Sequence, residues 1–321
     1  MTTLITGAGL LGTAFAQFAL ERSEPLVFFD PQPRHTFIHM KLGQARYDMV
    51  QKDVRNLPAL IDAIQTHRVD TVVHTAGLIG KKVADSIYNG FHVNVGGTVN
   101  VAEAVRLTGV KRLVHISTFG VYNTRRESDR PLQETFPRGT GKPYGSTKVA
   151  KEVLLEAYQR QYGFELIMLR PASVFGLGHF WSGSGGGEKM QLLLQGALEG
   201  KPAKIPQEQT MVNEYVYAKD VGRAIDLAAT VSMPEETVFN IGSGVVTPFE
   251  EVVETVKKLV PEVQIEIVPG EPPVSKAQPL DISRAEKYLG WEPAYSLEAA
   301  FKDYLEELSA AGTQLDRLIT S

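Results

Sequence analysis

Cysteine is absent from this chain of 321 residues. Its absence excludes disulfide bonds, thiolate ligands for zinc and cysteine nucleophiles. The composition fits a reducing compartment, although a chain without cysteine also folds in an oxidising one.

Long apolar runs and an excess of basic residues are missing as well. No stretch approaches the roughly 20 consecutive apolar residues that span a membrane, and the N-terminus lacks the positively charged segment of a secretory signal. The net charge is −4 and the pI is about 6.0, so no overall basic field attracts nucleic acid or an anionic membrane. We therefore expect a cytoplasmic protein that binds neither nucleic acid nor a membrane.

Metal-ligand spacing is also missing among the seven histidines. His35 and His39 lie four positions apart but lack the glutamate of the H-E-x-x-H zinc motif. The sequence therefore predicts no metal site.

Short apolar runs alternate with helical patterns through the first half of the chain. The runs occupy residues 3–6, 26–30, 71–75, 113–117 and 166–170. Nearly continuous hydrophobicity is typical of strands that are buried on both faces of a parallel sheet. The alternation predicts an α/β fold, a doubly wound parallel Rossmann sheet.

After about residue 171 this rhythm gives way to glycine- and proline-rich stretches with helical patterns at residues 188–199, 248–259 and 297–308 and a strand at 264–268. We expect a smaller C-terminal α/β lobe that binds the substrate. The predicted division gives residues 1–172, with 212–242 returning, to the NAD-binding Rossmann domain. Residues 173–211 and 243–321 form the lobe.

A glycine motif follows the first apolar run, with Gly7, Gly9 and Gly12 in a G-x-G-x-x-G pattern. Leu10 and Leu11 complete the motif, which opens an amphipathic helix. In this context the glycines permit a tight turn and a close approach to a pyrophosphate at the helix N-terminus. A plain strand-to-helix turn is the alternative.

Asp30 ends the second apolar run, 18 positions after Gly12. A carboxylate there accepts hydrogen bonds from the adenosine ribose hydroxyls and repels the 2′-phosphate of NADP, so it predicts NAD as the cofactor. Arg34 argues for NADP, and a simple turn role for Asp30 before Pro31 is the bland alternative. Further cofactor contacts are expected where later strands end, at Asp53, Val54, Thr75, Ala76 and Gly77. We interpret the neighbouring His74 as structural.

Tyr144 and Lys148 form a Y-x-x-x-K pattern that places both side chains on one face of a helix. A nearby ammonium and the positive nicotinamide of NAD⁺ would lower the pKa of the tyrosine, which makes it a general base for a substrate hydroxyl. Ser117 ends the run at residues 113–117 and Thr118 follows it, where a hydroxyl can bind the reacting oxygen of the substrate. Strand-end hydroxyls that bond only to backbone are the alternative.

With these residues the chain resembles the extended short-chain dehydrogenases/reductases of the NAD-dependent epimerase/dehydratase family. The resemblance covers roughly residues 2–305 and rests on residues 6–12, 30, 53, 74–77, 94–98, 117–122, 144–148, 169–171, 174–176, 215–221, 239–244 and 281–291.

The resemblance implies a role for each catalytic residue and a set of binding residues. Tyr144 would be the acid/base, Lys148 would lower its pKa and hold the nicotinamide ribose, and Thr118 rather than Ser117 would be the active-site hydroxyl. It also implies a homodimer through helices near residues 98–108 and 145–161. Cofactor contacts are expected from Gly7, Gly9, Leu10, Leu11, Gly12, Asp30, Asp53, Val54, Thr75, Ala76, Gly77, Asn94, Ser117, Tyr144, Lys148, Pro171, Ser173 and Val174. By the same resemblance, Asn94 is either such a contact or a structural asparagine.

Departures from the family pattern bear on the substrate. The family's dehydratases carry Asp-Glu where Phe119 and Gly120 stand here, and its nucleotide-sugar epimerases carry diphosphate-binding arginines at the positions of Asn213 and near Lys276. Lys189, Lys204 and Lys276 are partial substitutes. These departures favour a smaller carbohydrate-like substrate over a nucleotide sugar, and the expected substrate contacts are Leu78, Phe119, Ser173, His179 and Tyr215.

The glycine-rich run at residues 182–187 has three interpretations: a lid, an anion-binding nest at a helix N-terminus, or a disordered loop. The leading functional hypothesis is an NAD-dependent dehydrogenase/reductase acting on a secondary alcohol or ketone. A nucleotide-sugar epimerase is the alternative, and a non-catalytic NAD-sensing protein is a remote one.

Overall fold

Strands and helices alternate along the chain in the computed structural model, which describes residues 1–123, 126, 128–178, 185–273 and 277–312. In this part of the chain the strands are β1 (Thr3–Thr6), β2 (Leu26–Phe29), β3 (Asp48–Val50), β4 (Thr71–His74), β5 (Arg112–Ile116), β6 (Glu165–Pro171), β7 (Ser173–Phe175), β8 (Ala203–Pro206), β9 (Asn213–Tyr217), β10 (Val238–Ile241), β11 (Val246–Thr247) and β12 (Ile265–Val268).

The α-helices of the same ranges are α1 (Leu10–Glu21), α2 (His35–Leu42), α3 (Leu57–His67), α4 (Lys81–Asp85), α5 (Ile87–Gly90), α6 (Gly97–Thr108), α7 (Pro143–Tyr162), α8 (Gly185–Glu199), α9 (Ala218–Thr230), α10 (Phe249–Leu259) and α11 (Leu297–Ala311). A π-helical segment, Phe91–Gly96, precedes α6, and a short 3₁₀ turn, Phe119–Val121, follows β5.

Seven of the strands form one parallel sheet in the order β10-β6-β5-β4-β1-β2-β3. The chain starts in the middle of this sheet, winds to one edge and then returns to build the other. Because all strands run the same way, β1, β4, β5 and β6 end at one edge of the sheet, where the predicted site residues follow them. The predicted Rossmann fold is confirmed.

Neighbouring residues of each central strand enter opposite hydrophobic cores. Leu4 and Val72 pack on the face covered by α3 and α6, whereas Ile5 and Val73 pack on the face covered by α1 and α9. Both faces of the sheet are thus buried, which explains why these strands are continuous apolar runs in the sequence.

A third core lies in the C-terminal part of the chain, where α8, α10 and α11 pack around β7, β8 and β9. β11, β9 and β7 form a second sheet and β12 pairs with β8 in a third. The predicted domain boundaries remain a prediction.

Most predicted elements agree with the structure to within a few residues, but α8 begins earlier than expected. It starts at Gly185 rather than at Glu188, so residues 185–187 belong to its first turn instead of to a loop. Residues 182–184 of the glycine-rich run lie outside the described residues. Among the helices that the structure describes, none is both long and apolar enough to cross a membrane.

Candidate functional site

The glycine motif forms a tight turn between β1 and α1. Gly7 has a φ of +90°, a conformation that favours glycine. A Cβ on Gly12 would lie 2.1 Å from the carbonyl oxygen of Gly7, so the first turn of α1 packs directly on the end of β1. A Cβ on Gly9 would meet none of the described residues within 4 Å. The turn therefore leaves open space at the N-terminus of α1, as a bound pyrophosphate requires.

Asp30 lies beside this turn at the end of β2. Its Oδ2 accepts a hydrogen bond from the backbone N–H of Ala8 at 2.8 Å, and its Oδ1 accepts one from the N–H of Gln32 at 2.8 Å. A carboxylate has about four acceptor positions, so both oxygens can still receive ribose hydroxyls. Burial lowers the pKa of the nearby Arg34, and the negative charge of Asp30 partly offsets that effect.

The segment that follows β4 is held in place by two side chains. Thr75 donates its hydroxyl to the carbonyl of Thr6 at 2.7 Å. The amide of Asn94 accepts from the N–H of Leu78 at 2.7 Å and donates to its carbonyl at 3.0 Å. Asn94 is buried and fixes the backbone of this segment. Its bonds support a structural interpretation for Asn94 and give Ala76 and Gly77 a defined path along the sheet edge.

His74 lies beneath this segment and is held between two threonines. Its Nδ1 lies 2.7 Å from the hydroxyl of Thr6, and its Nε2 lies 2.8 Å from that of Thr98. Because Thr98 donates its own proton to the carbonyl of Asn94, Nε2 must be the donor in its pair. Burial and two nearby lysines hold the pKa of His74 well below its usual value. These bonds agree with the structural role expected from the sequence.

Asp53 and Val54, both predicted to contact the cofactor, have different neighbours in the structure. The carboxylate of Asp53 is bound by Arg55, with its Oδ2 2.7 Å from Nη2 and its Oδ1 3.0 Å from Nε. That guanidinium lowers the pKa of Asp53. Val54 is buried and packs against the start of α6 at Gly97.

Thr118, Tyr144 and Lys148 come together where β5 ends and α7 begins. The side chain of Thr118 lies beside the hydroxyl of Tyr144, whose pKa it lowers as a polar neighbour. Lys148 lies one turn further along α7, its Nζ 5.7 Å from the centre of the Tyr144 ring, and donates to the carbonyl of Ile116 at 2.7 Å. Pro143 occupies the first position of α7, where its missing N–H costs nothing.

The pKa values of this pair differ from the expectation for Tyr144. Burial raises the pKa of the Tyr144 hydroxyl above its ordinary value, and the side chain of Thr118 offsets only part of the increase. Burial lowers the pKa of Lys148 to about 8, while the charge of Glu152 raises it. Burial by itself therefore keeps Tyr144 protonated, and Lys148 donates to the backbone carbonyl of Ile116.

Ser117 has a partner that the sequence did not predict. Its hydroxyl donates to Oε1 of the buried Glu152 at 2.5 Å, which leaves Thr118 as the hydroxyl next to Tyr144. Arg170 and Arg138 also bind Glu152. Two features of the sequence could have indicated this buried ion pair. Arg170 is a charged residue inside an otherwise apolar strand, and Glu152 is a carboxylate one turn after Lys148.

Two of the predicted substrate residues, Ser173 and Tyr215, lie on β7 and β9, whereas Leu78 and Phe119 follow β4 and β5. Ser173, two positions after Pro171, pairs in register with Tyr215, and both are buried. Among the described residues, the hydroxyl of Tyr215 has no hydrogen-bond partner. Phe119 and Val174 are partly buried against the central core. His179 and Lys276 lie outside the described residues.

Two lysines expected as substitutes for the diphosphate-binding arginines are already engaged. Lys189 is 1% exposed, donates to the carbonyl of Gln209 at 2.7 Å, and has its pKa lowered by burial to about 8. Lys204 is exposed and lies 3.7 Å from Glu266. Among the described residues, no group of three or more histidine and carboxylate side chains is arranged to hold a metal ion.

Comparison with known proteins gives concordant matches. The model of the NAD dependent epimerase/dehydratase family matches residues 3–242. A UDP-glucose 4-epimerase of Mycolicibacterium smegmatis is 30% identical, over 92% of this chain and 95% of that protein. A dTDP-glucose 4,6-dehydratase of Xanthomonas campestris pv. campestris is 27% identical, over 92% and 90% respectively.

A solved structure also resembles the chain. It is a UDP-glucose-4-epimerase from Stenotrophomonas maltophila with bound NAD and formylated UDP-arabinopyranose, and it superposes with a TM-score of 0.85 over 98% of this chain and 99% of that one. The sequence identity is 23%, so this likeness concerns the fold alone.

Proposed function

This chain belongs to the NAD-dependent epimerase/dehydratase family, and we propose that it transfers hydride reversibly between NAD and a secondary alcohol or ketone of a carbohydrate-like substrate. The family is NAD-dependent and its members among the relatives are enzymes. The observation that carries the proposal is the placement of Thr118, at the end of β5, beside Tyr144 and the buried Lys148 on α7.

In this proposal each of the three residues has a distinct task. Thr118 orients the substrate oxygen toward Tyr144, whose hydroxyl gives a proton to that oxygen or takes one from it. Lys148 holds the ribose of the cofactor. When bound, NAD supplies the carbon that accepts and returns the hydride, and its oxidised nicotinamide carries a positive charge. Because burial raises the pKa of Tyr144, this added charge is needed before Tyr144 can act as a base.

The net reaction we favour is epimerisation of a nucleotide sugar, in which hydride returns to the opposite face of a transient ketone. The curated relatives cited above are named for nucleotide-sugar substrates. Phe119 and Gly120 provide no acid or base for removing water, which argues against a dehydratase.

A dehydrogenase acting on a smaller polyol or sugar acid is the second candidate. Asn213 carries no charge, and its amide lies near the start of α8 beside Gly186. With Lys189 buried against backbone carbonyls, the described part of the chain offers little positive charge for a diphosphate, which needs charge-assisted donors.

The test is turnover of UDP-glucose, UDP-glucuronate, dTDP-glucose, free sugars, sugar acids and polyols with NAD⁺. Absorbance at 340 nm reports net NADH, and product chromatography reports a change of configuration. An epimer without NADH supports the epimerase, and steady NADH with one compound class supports the dehydrogenase. Tyr144→Phe should abolish either activity, whereas Tyr162→Phe, at an exposed tyrosine of the same helix, should not. Undiminished turnover by Tyr144→Phe would falsify the proposed mechanism.

We further propose that the protein is a homodimer formed through α6 and α7. Large apolar side chains are exposed on these helices and on the adjoining segment, among them Tyr88 at 77% exposure, Phe91, Leu107 and Val153. Such a concentration on one side of a protein marks an interaction surface. The oligomeric state is measured by light scattering coupled to size-exclusion chromatography.

A further inference from the structure

Glu152 is a fully buried carboxylate directly beneath the catalytic pair. It lies one turn after Lys148 on α7 and is 0% exposed. Four hydrogen bonds satisfy it: from the hydroxyl of Ser117 at 2.5 Å, from Nε and Nη2 of Arg170 at 2.9 and 2.7 Å, and from Nη1 of Arg138 at 3.0 Å. Burial alone would raise the pKa of Glu152, but these donors hold it below its usual value, so the group is ionised.

The partners of Glu152 come from different elements that meet at the site. Ser117 follows β5 and immediately precedes Thr118, whereas Arg170 belongs to β6 and Arg138 to the loop before α7. A single carboxylate therefore ties the helix that carries Tyr144 to the strand end that carries Thr118. Charge-assisted bonds with good geometry in a buried setting restrict movement more than neutral ones do.

We propose that Glu152 is a positioning residue, which fixes Thr118 against Tyr144 through Ser117 and balances the ammonium of Lys148. This inference rests on the proposed function. Glu152 itself touches neither substrate nor cofactor in this proposal. Its effect on catalysis is indirect, because small displacements of reacting groups have large effects on rate.

Two variants separate the positioning of Thr118 from the effect of charge on Lys148. Glu152→Gln keeps the shape of the side chain but removes the charge. Ser117→Ala removes the one bond that leads to Thr118 and leaves the pair of Glu152 and Arg170 intact, so it tests positioning even if Glu152→Gln folds poorly. Glu156→Gln is the matched control. Glu156 lies one turn further along α7 and binds the same Arg138 at 2.8 Å, but it makes no bond to Ser117 in the described part of the chain.

The measurements are thermal stability, NAD affinity by isothermal titration calorimetry from pH 6 to 10, and turnover of the best substrate over the same range. Ser117→Ala should reduce kcat by about tenfold and change NAD affinity by less than about twofold. Glu152→Gln should also lower the pKa of Lys148 further below 8, by about one unit. Its NAD affinity should then decline at a lower pH than that of the natural chain.

The outcomes distinguish the inference from the function on which it rests. Folded Glu152→Gln and Ser117→Ala with unchanged kcat and an unchanged pH profile would overturn the positioning role. An equal loss of kcat in Glu156→Gln would overturn it too, since that loss would reflect a general disturbance of α7. If the natural chain binds NAD but turns over no sugar, the proposed function fails, while the pH profile of NAD affinity still decides whether Glu152 acts on Lys148.

Discussion

Replacing two glycines of the same turn by alanine should have opposite consequences. A Cβ on Gly12 would lie 2.1 Å from the carbonyl oxygen of Gly7, whereas real Cβ atoms stay beyond 3.0 Å. Gly12→Ala therefore requires α1 and β1 to separate by roughly 1 Å, and overpacking of this kind costs about 1–3 kcal/mol. We expect the melting temperature to fall by several degrees.

Gly9→Ala should leave the fold nearly unchanged, because its Cβ meets no described residue within 4 Å and the backbone at Gly9 is extended, with φ −87° and ψ −161°. The new methyl group would instead occupy the open space at the N-terminus of α1. We expect NAD affinity to fall by at least about tenfold, which corresponds to about 1.4 kcal/mol.

Differential scanning calorimetry and calorimetric titration with NAD measure both quantities on both variants. Unchanged NAD affinity in Gly9→Ala would exclude this turn as the site of the pyrophosphate. Unchanged stability in Gly12→Ala would contradict the tight packing of α1 on β1. Loss of affinity with retained stability in Gly9→Ala would locate the pyrophosphate at this turn.

Three further predictions concern specificity, pH and assembly. Asp30→Ser should weaken NAD binding by about tenfold and improve NADP binding, because the carboxylate that repels a 2′-phosphate is gone. Titrations with both cofactors measure this preference, and the control Asp53→Asn, at a carboxylate already bound by Arg55, should leave it unchanged. Burial raises the pKa of Glu214 from 4.5 to about 7, so the folded protein favours the protonated carboxyl. This preference contributes up to about 3 kcal/mol to the free energy of unfolding; the contribution is fully present below pH 4.5 and is lost as the pH rises through 7. Urea unfolding at pH 5 and 8 should show this decline in the free energy of unfolding of the natural chain and a smaller decline in Glu214→Gln. An equal decline in both proteins would contradict the prediction. Val153→Glu should convert the proposed dimer to a monomer in light scattering, since it introduces a charge on an exposed apolar face; an unchanged mass would place the interface elsewhere.

Much of the fold could be predicted because its strands are short and buried on both faces. The first strand, Thr3–Thr6, agrees with the predicted run, and the other predicted strands of the main sheet differ by at most one residue at either end. The glycine turn was equally accessible, since its spacing is a local requirement of the backbone. The Y-x-x-x-K pattern also depends only on the helical repeat, which places Tyr144 and Lys148 on one face of α7.

The start of α8 was harder to predict, because glycine has low helix propensity and three of them open this helix. Gly186 lies close to Ser173 and Asn213, where a Cβ would have its nearest neighbour at 3.1 Å. Packing against β7 and β9 therefore outweighs the local preference of the glycines, and no pattern within residues 185–187 reports on that contact.

The sequence by itself determined the family, the order of the elements and the residue types at the site, because each of these follows from spacing along the chain. Tertiary structure alone decided that burial raises the pKa of Tyr144, and that Ser117 binds Glu152 rather than facing the substrate. Burial and hydrogen bonds depend on which distant segments meet, and Ser117 and Glu152 are 35 positions apart. Local sequence patterns carry no information about such a long-range contact, which the packing of α7 on β5 and β6 determines.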